Sequence, residues 1–124
     1  HSNARGACFH LRNLSDEMIR QLAERGGVTG INFCPSFLRE EEPAAKKAST
    51  MDMVRHMKYL RNVGGIDIIG LGTDFDGFSG ETDVPDTAHM QHLADVMSHE
   101  GFTDEEIEKV FSKNVLRVFR ECWK

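Results

Sequence analysis

Asp74 and Asp76, in the run Gly72-Thr73-Asp74-Phe75-Asp76-Gly77, are the residues of this sequence best placed to do chemistry. They follow directly on the apolar run Ile66-Asp67-Ile68-Ile69-Gly70-Leu71, which reads as a buried strand. In α/β proteins the residues just past the carboxyl ends of strands line the ligand crevice, so an acid there stands where a substrate would bind. A carboxylate near its working pKa can take a proton from water and return one to a leaving amine, and that is the chemistry open to Asp74. The structural alternative is that Asp74 caps the next turn by accepting backbone hydrogen bonds. Asp76-Gly77 has the composition of a chain-reversing turn. A calcium loop drawn through Asp74, Asp76, Glu81 and Asp83 fails, because Phe78 occupies an oxygen-ligand position and Ser79 stands where the turn requires glycine.

Two residues near the start of the sequence add further chemistry. His1 can offer a ring nitrogen to zinc, although no HExxH pattern surrounds it. Arg12, between His10 and Asn13, can hold a carboxylate in a bidentate pair or form an ordinary surface ion pair. His56, His89, His92 and His99 fall within or beside helices. Cys8, Cys34 and Cys122 are widely spaced with no CxxC, a pattern that argues for a reducing, cytoplasmic setting and against a disulfide scaffold.

The elements that must position these residues alternate. Ser15 is a helix cap with Asp16 and Glu17 in the first turn, and Met18, Ile19, Leu22 and Ala23 recur at helical spacing until Gly26-Gly27. Val28 to Phe33 reads as a strand. Cys34 to Ser49, with Pro35 and Pro43, reads as a long polar connection fit for a lid or rim. Thr50 is expected to cap a helix whose inward stripe is Met51, Val54, Met57 and Leu60, ending at Asn62-Val63-Gly64-Gly65. The strand Ile66 to Leu71 follows. A helix beginning at Asp86 or Thr87 should run to His99, with Met90, Leu93, Val96 and Met97 inward. Thr103 to Glu106 forms a capping box for a helix presenting Ile107, Val110 and Phe111, and a break at Ser112-Lys113-Asn114 is expected before a last amphipathic segment.

The sequence has 124 residues, 40% of them hydrophobic and 28% charged, with a formal charge of -5. That suits one soluble domain and excludes a nucleic-acid partner, since no basic stripe carries interleaved aromatics. No apolar run approaches the roughly 18 residues of a membrane span. Two near-continuous apolar strands need neighbours on both sides, so the sequence reads as the carboxyl-terminal part of a larger α/β body.

His1-Ser2-Asn3-Ala4-Arg5, His10-Leu11-Arg12-Asn13-Leu14-Ser15-Asp16-Glu17, Gly27-Val28 with Asn32-Phe33, Gly70 to Gly77, and Asn114-Val115-Leu116-Arg117-Val118-Phe119 together resemble the carboxyl-terminal portion of the membrane (renal) dipeptidase family. The resemblance runs almost end to end, with its blocks in the family's order. It implies a (β/α)8 TIM-like barrel of the metallo-dependent hydrolase type. Residues 1–124 would form the carboxyl-terminal segment of that single domain, His1 ending the sixth strand, Val28 to Phe33 forming the seventh and Ile66 to Leu71 the eighth. It further implies zinc-dependent hydrolysis of dipeptides at two zinc ions, with His1 a metal ligand, Arg12 the grip on the substrate carboxylate, Asp74 the catalytic acid, and Asp76 and Gly77 the turn that aims it. The remaining amino-terminal part of the barrel would supply the other ligands, leaving this chain inactive by itself, and a homodimer is the assembly the resemblance suggests. The competing reading is a non-catalytic α/β scaffold or interaction module with a degenerate metal centre.

Overall fold

A computed structural model describes residues 1–123. Ser15 caps the first helix, α1 (Asp16–Glu24), with its hydroxyl accepting the Met18 N–H, and the helix ends before Gly26, whose φ of 71° only glycine adopts freely. The short strand β1 (Thr29–Ile31) follows. The connection after it is more structured than its polarity suggests. It contains a one-turn helix α2 (Pro35–Leu38), begun by proline, and a two-residue strand β2 (Lys47–Ala48), and it buries Pro35, Leu38, Ala45 and Ala48.

The long helix α3 (Thr50–Gly64) is capped by Ser49, not by Thr50. Ser49 and Asp52 complete a reciprocal capping box, and Thr50 becomes the first helical residue, its N–H and hydroxyl both donating to Asp83 Oδ1 at 2.7 Å. The inward stripe is Met53, Val54, Met57 and Leu60 with His56, while Met51 is about half exposed. The run 66–71 divides into a 3-10 turn (Ile66–Ile68) and the strand β3 (Ile69–Leu71). After β4 (Glu81–Thr82) and a 3-10 turn (Thr87–His89) come α4 (Met90–His99), α5 (Asp104–Glu108) and α6 (Asn114–Cys122).

The Thr103–Glu106 capping box forms as expected at the start of α5, but no break occurs at residues 112–114. A π-helical turn, Lys109–Lys113, carries the chain continuously into α6. Asn114 is buried there and donates to the carbonyls of Ile66 and Ile69, both at 2.8 Å, which ties the helix to the base of β3.

β1 and β3 pair in parallel, with Thr29 opposite Ile69, Gly30 opposite Gly70 and Ile31 opposite Leu71. The first residues run along the other side of β1: Ser2 N–H donates to Gly30 O at 3.0 Å and Thr29 Oγ1 to Ser2 O at 2.7 Å. The three backbones approach too closely for side chains between them. A Cβ on Gly30 would lie 2.5 Å from Gly72 N, and one on Gly72 would lie 2.8 Å from His1 Cβ. Helix α3 packs on α1 and on both strands, burying Ile19, Ile31, Phe33, Met53, Met57, Leu60 and Ile69 in one core. Among the described residues this is an arc of parallel backbone, not a closed barrel.

Candidate active site at the strand ends

The parallel pairing continues past β1 and β3, with Gly72 N–H donating to Ile31 O at 3.1 Å and Phe33 N–H to Thr73 O at 3.2 Å. Both chains therefore leave the sheet side by side. Asp74 follows with φ 60°, a left-handed conformation that costs a non-glycine residue about 1 kcal/mol or more and that clusters at functional sites. Two contacts hold it: Gly77 N–H donates to Asp74 O at 2.9 Å, and the neighbouring Phe75 ring packs edge-on against Phe33 with centroids 5.6 Å apart. Asp76 is exposed, also left-handed at φ 67°, and completes the turn. A Cβ at Gly77 would fall on the Asp74 carboxylate, so glycine there leaves that side chain its present position.

Asn32, one residue beyond β1, faces Asp74 and is fully buried. Its Oδ1 accepts Cys34 N–H at 2.8 Å, which leaves Nδ2 pointing outward. Nδ2 donates to Asp74 Oδ2 at 3.2 Å and to His1 Nδ1 at 3.1 Å. The Asn32 backbone is gripped by buried Asn3, whose Oδ1 accepts Asn32 N–H at 2.8 Å and whose Nδ2 donates to Asn32 O at 2.9 Å. Asn3 thereby extends the ladder with a side-chain amide in place of a backbone.

His1 is exposed at the edge of this group. Its Nδ1 also lies 3.1 Å from Arg12 Nη2, so the Asn32 amide and the Arg12 guanidinium both face that nitrogen. Arg12 is exposed with its guanidinium 5.4 Å from the centroid of Phe37 on α2, and His10 packs against the same ring with centroids 4.6 Å apart. Phe37 is fixed in turn by its carbonyl, which accepts Asn13 Nδ2 at 2.9 Å. The structure thus brings His1, Arg12 and Asp74 to one place, and Asp76 and Gly77 to the turn that carries Asp74.

Other titratable residues are occupied elsewhere. Burial pushes the Cys8 thiol above its ordinary value, with the Glu40 carboxylate adding to the effect, so Cys8 has little thiolate to offer. His56 is enclosed in the core, donating through Nε2 to Leu38 O and accepting Ala4 N–H at Nδ1; burial lowers its pKa to about 4. His89 pairs with Asp86 and His92 with Asp83. Asp83 and Glu81, the remaining acids of the rejected calcium loop, bond Thr50 and Lys47.

Among the described residues no three His, Cys, Asp or Glu side chains gather as a metal-binding set. The strand ends offer one imidazole and one carboxylate separated by an amide, with a guanidinium beside the imidazole. Zinc normally needs about four ligands, so this donor set does not fit a metal ion by itself.

Sequence reasoning singled out the three convergent side chains but passed over Asn32 and Asn3. Asn32 reads as one polar residue within the strand Val28 to Phe33. The available signal was positional: Asn32 leaves β1 as Asp74 leaves β3, at neighbouring strand ends.

A family model described as membrane dipeptidase (peptidase family M19) matches residues 1–123. An uncharacterized protein in the pqqA 5' region of Klebsiella pneumoniae is 35% identical over 99% of this chain and 45% of its own length, and the dipeptidase tcpJ of Claviceps purpurea is 33% identical over 98% of this chain and 28% of its own. The crystal structure of a metallo peptidase from Rhodobacter sphaeroides, liganded with a phosphinate mimic of the dipeptide L-Ala-D-Ala, superposes with a TM-score of 0.89 at 29% identity, over 97% of this chain and 34% of that one. This chain therefore spans less than half the length of each of these proteins. With its whole described length matched by one family model and its fold shared with a metallo peptidase, the chain belongs to the membrane dipeptidase family, peptidase family M19.

Proposed function

We propose that this chain is the carboxyl-terminal segment of a metal-dependent dipeptidase and supplies the proton-transfer and carboxylate-binding half of its site. The observation that carries the reading is the convergence of His1, Arg12 and Asp74 at the ends of two parallel strands, with Asn32 touching both His1 and Asp74. The amino-terminal remainder of a (β/α)8 barrel would close the arc and bring the missing metal ligands, and His1 would be the ligand from this chain. The metal we propose is a pair of zinc ions, which when bound would make water nucleophilic at neutral pH.

The chain's own residues account for the rest. Arg12, steadied over Phe37, pairs with the free carboxylate of a short peptide and sets how far its scissile bond lies from Asp74. Asp74 takes a proton from the attacking water as the new C–O bond forms. It returns that proton to the amine nitrogen as the C–N bond breaks. An anchored carboxylate restricts substrates to very short peptides, since a longer chain would meet the site wall. The Rhodobacter protein that shares this fold is liganded with a mimic of a dipeptide.

The test uses the full-length enzyme loaded with zinc, assayed on a dipeptide and on its carboxamide. Arg12→Ala should weaken use of the dipeptide by about 10- to 100-fold, the size of a lost charged hydrogen bond, and should leave use of the carboxamide nearly unchanged. Equal losses on both substrates would remove Arg12 as the carboxylate anchor. No hydrolysis by the unmodified enzyme would remove the dipeptidase reading.

A further inference from the structure

We infer that Asn32 is a positioning residue of this site: its buried side-chain amide fixes the Asp74 carboxylate and touches no substrate itself. The inference deepens the dipeptidase reading and rests on it for its kinetic arm only.

A buried polar side chain must satisfy its hydrogen-bonding groups, and Asn32 does so in a way that permits one orientation. Oδ1 is committed to Cys34 N–H at 2.8 Å, so the amide cannot flip without setting two donors against each other. Both hydrogens of Nδ2 then point into the site, one toward Asp74 Oδ2 at 3.2 Å and the other toward His1 Nδ1 at 3.1 Å. The backbone on which this side chain sits is clamped from both directions by Asn3. Asn32 is therefore more rigid than either group it touches: His1 is exposed, and Asp74 is half-buried on a turn with two consecutive-but-one left-handed residues. A loop carboxylate free to change rotamer would lose the alignment that proton transfer demands. A donor fixed to the sheet removes that freedom.

Partners that orient catalytic groups typically cost 10- to 100-fold in activity or affinity when removed. Two substitutions separate positioning from mere support. Asn32→Asp keeps the shape and the acceptor for Cys34 N–H but replaces the outward donor with an acceptor. Asn32→Ala removes both functions. In the full-length enzyme Asn32→Asp should lower kcat by about 10- to 100-fold, with KM for a dipeptide changed by less than about threefold, because Arg12, not Asn32, holds the substrate carboxylate. A kcat within threefold of native would overturn the inference.

The second readout does not depend on turnover. Crystal structures of native and Asn32→Ala full-length enzyme should show Asp74 in one rotamer in the first, and in several or displaced by about 1 Å or more in the second, over an unchanged strand backbone. An Asp74 side chain unmoved in Asn32→Ala would overturn the inference even if the enzyme cleaved no dipeptide. A dipeptidase reading that fails shows itself separately, as inactivity of the native enzyme.

Discussion

The β1–β3 and β2–β4 ladders run in the same direction and differ by one residue in length, yet they are built for different tasks. The inner pair is packed on α3, leaves no room for a Cβ at Gly30, and ends in Asn32 and Asp74. The outer pair joins two irregular stretches. Lys47 and Glu81 form its exposed ion pair, while Glu81 N–H to Lys46 O and Thr50 N–H and hydroxyl to Asp83 Oδ1 fasten the loop that follows Asp74 to the start of α3. Hydrogen-bond direction is thus no guide to importance. Burial and what stands at the strand end decide it.

The contrast breaks most readily at Asp74. Asn tolerates left-handed backbone, so Asp74→Asn should leave thermal unfolding of the intact enzyme within a degree or two of native while kcat/KM falls by about 10²- to 10⁴-fold. Retained activity would reduce Asp74 to a turn residue.

Acid should loosen the inner layer next. With its folded pKa held down to about 4, below the ordinary histidine value, His56 favours the native state only when neutral. The unfolded chain binds the proton first, so stability is full above about pH 6.5 and falls by up to roughly 3 kcal/mol as pH drops toward 4. Urea unfolding at several pH values would show this slope, and His56→Gln, which keeps a donor and an acceptor, should flatten it.

Gly30→Ala tests the close approach itself. Its Cβ would meet backbone, not a flexible side chain, so a loss of about 1–3 kcal/mol in denaturant unfolding is expected. At the outer ladder Lys47→Ala should cost less than about 1 kcal/mol, since both partners are about three-quarters exposed. A Lys47→Ala penalty equal to that of Gly30→Ala would erase the distinction between the ladders.

What the sequence made legible follows the range of the interactions involved. Ser15 and the Thr103–Glu106 box announce their helices because capping is local, and both caps form. Ser49 was hidden by the equally plausible Thr50 beside it; what separates them is Asp52 below and Asp83 from 33 residues away. Val54, Met57 and Leu60 are buried as expected, and Met53, not Met51, completes the stripe. The arc of strands could be expected from apolar runs and glycines, and the gathering of His1, Arg12 and Asp74 only from family resemblance. Asn32 has only its position at a strand end to announce it, because its partners lie 31 and 42 residues away.

The π turn at Lys109–Lys113 has a consequence for insertions and deletions. Each residue of an α-helix advances the chain by about 100° around the axis, so one extra residue within a turn acts as a phase shifter for everything after it. Here the phase it sets is the one that aims Asn114 at the carbonyls of Ile66 and Ile69. Removing a single residue from this turn would barely shorten the helix. It would rotate α6 and carry Asn114 away from the strand it fastens.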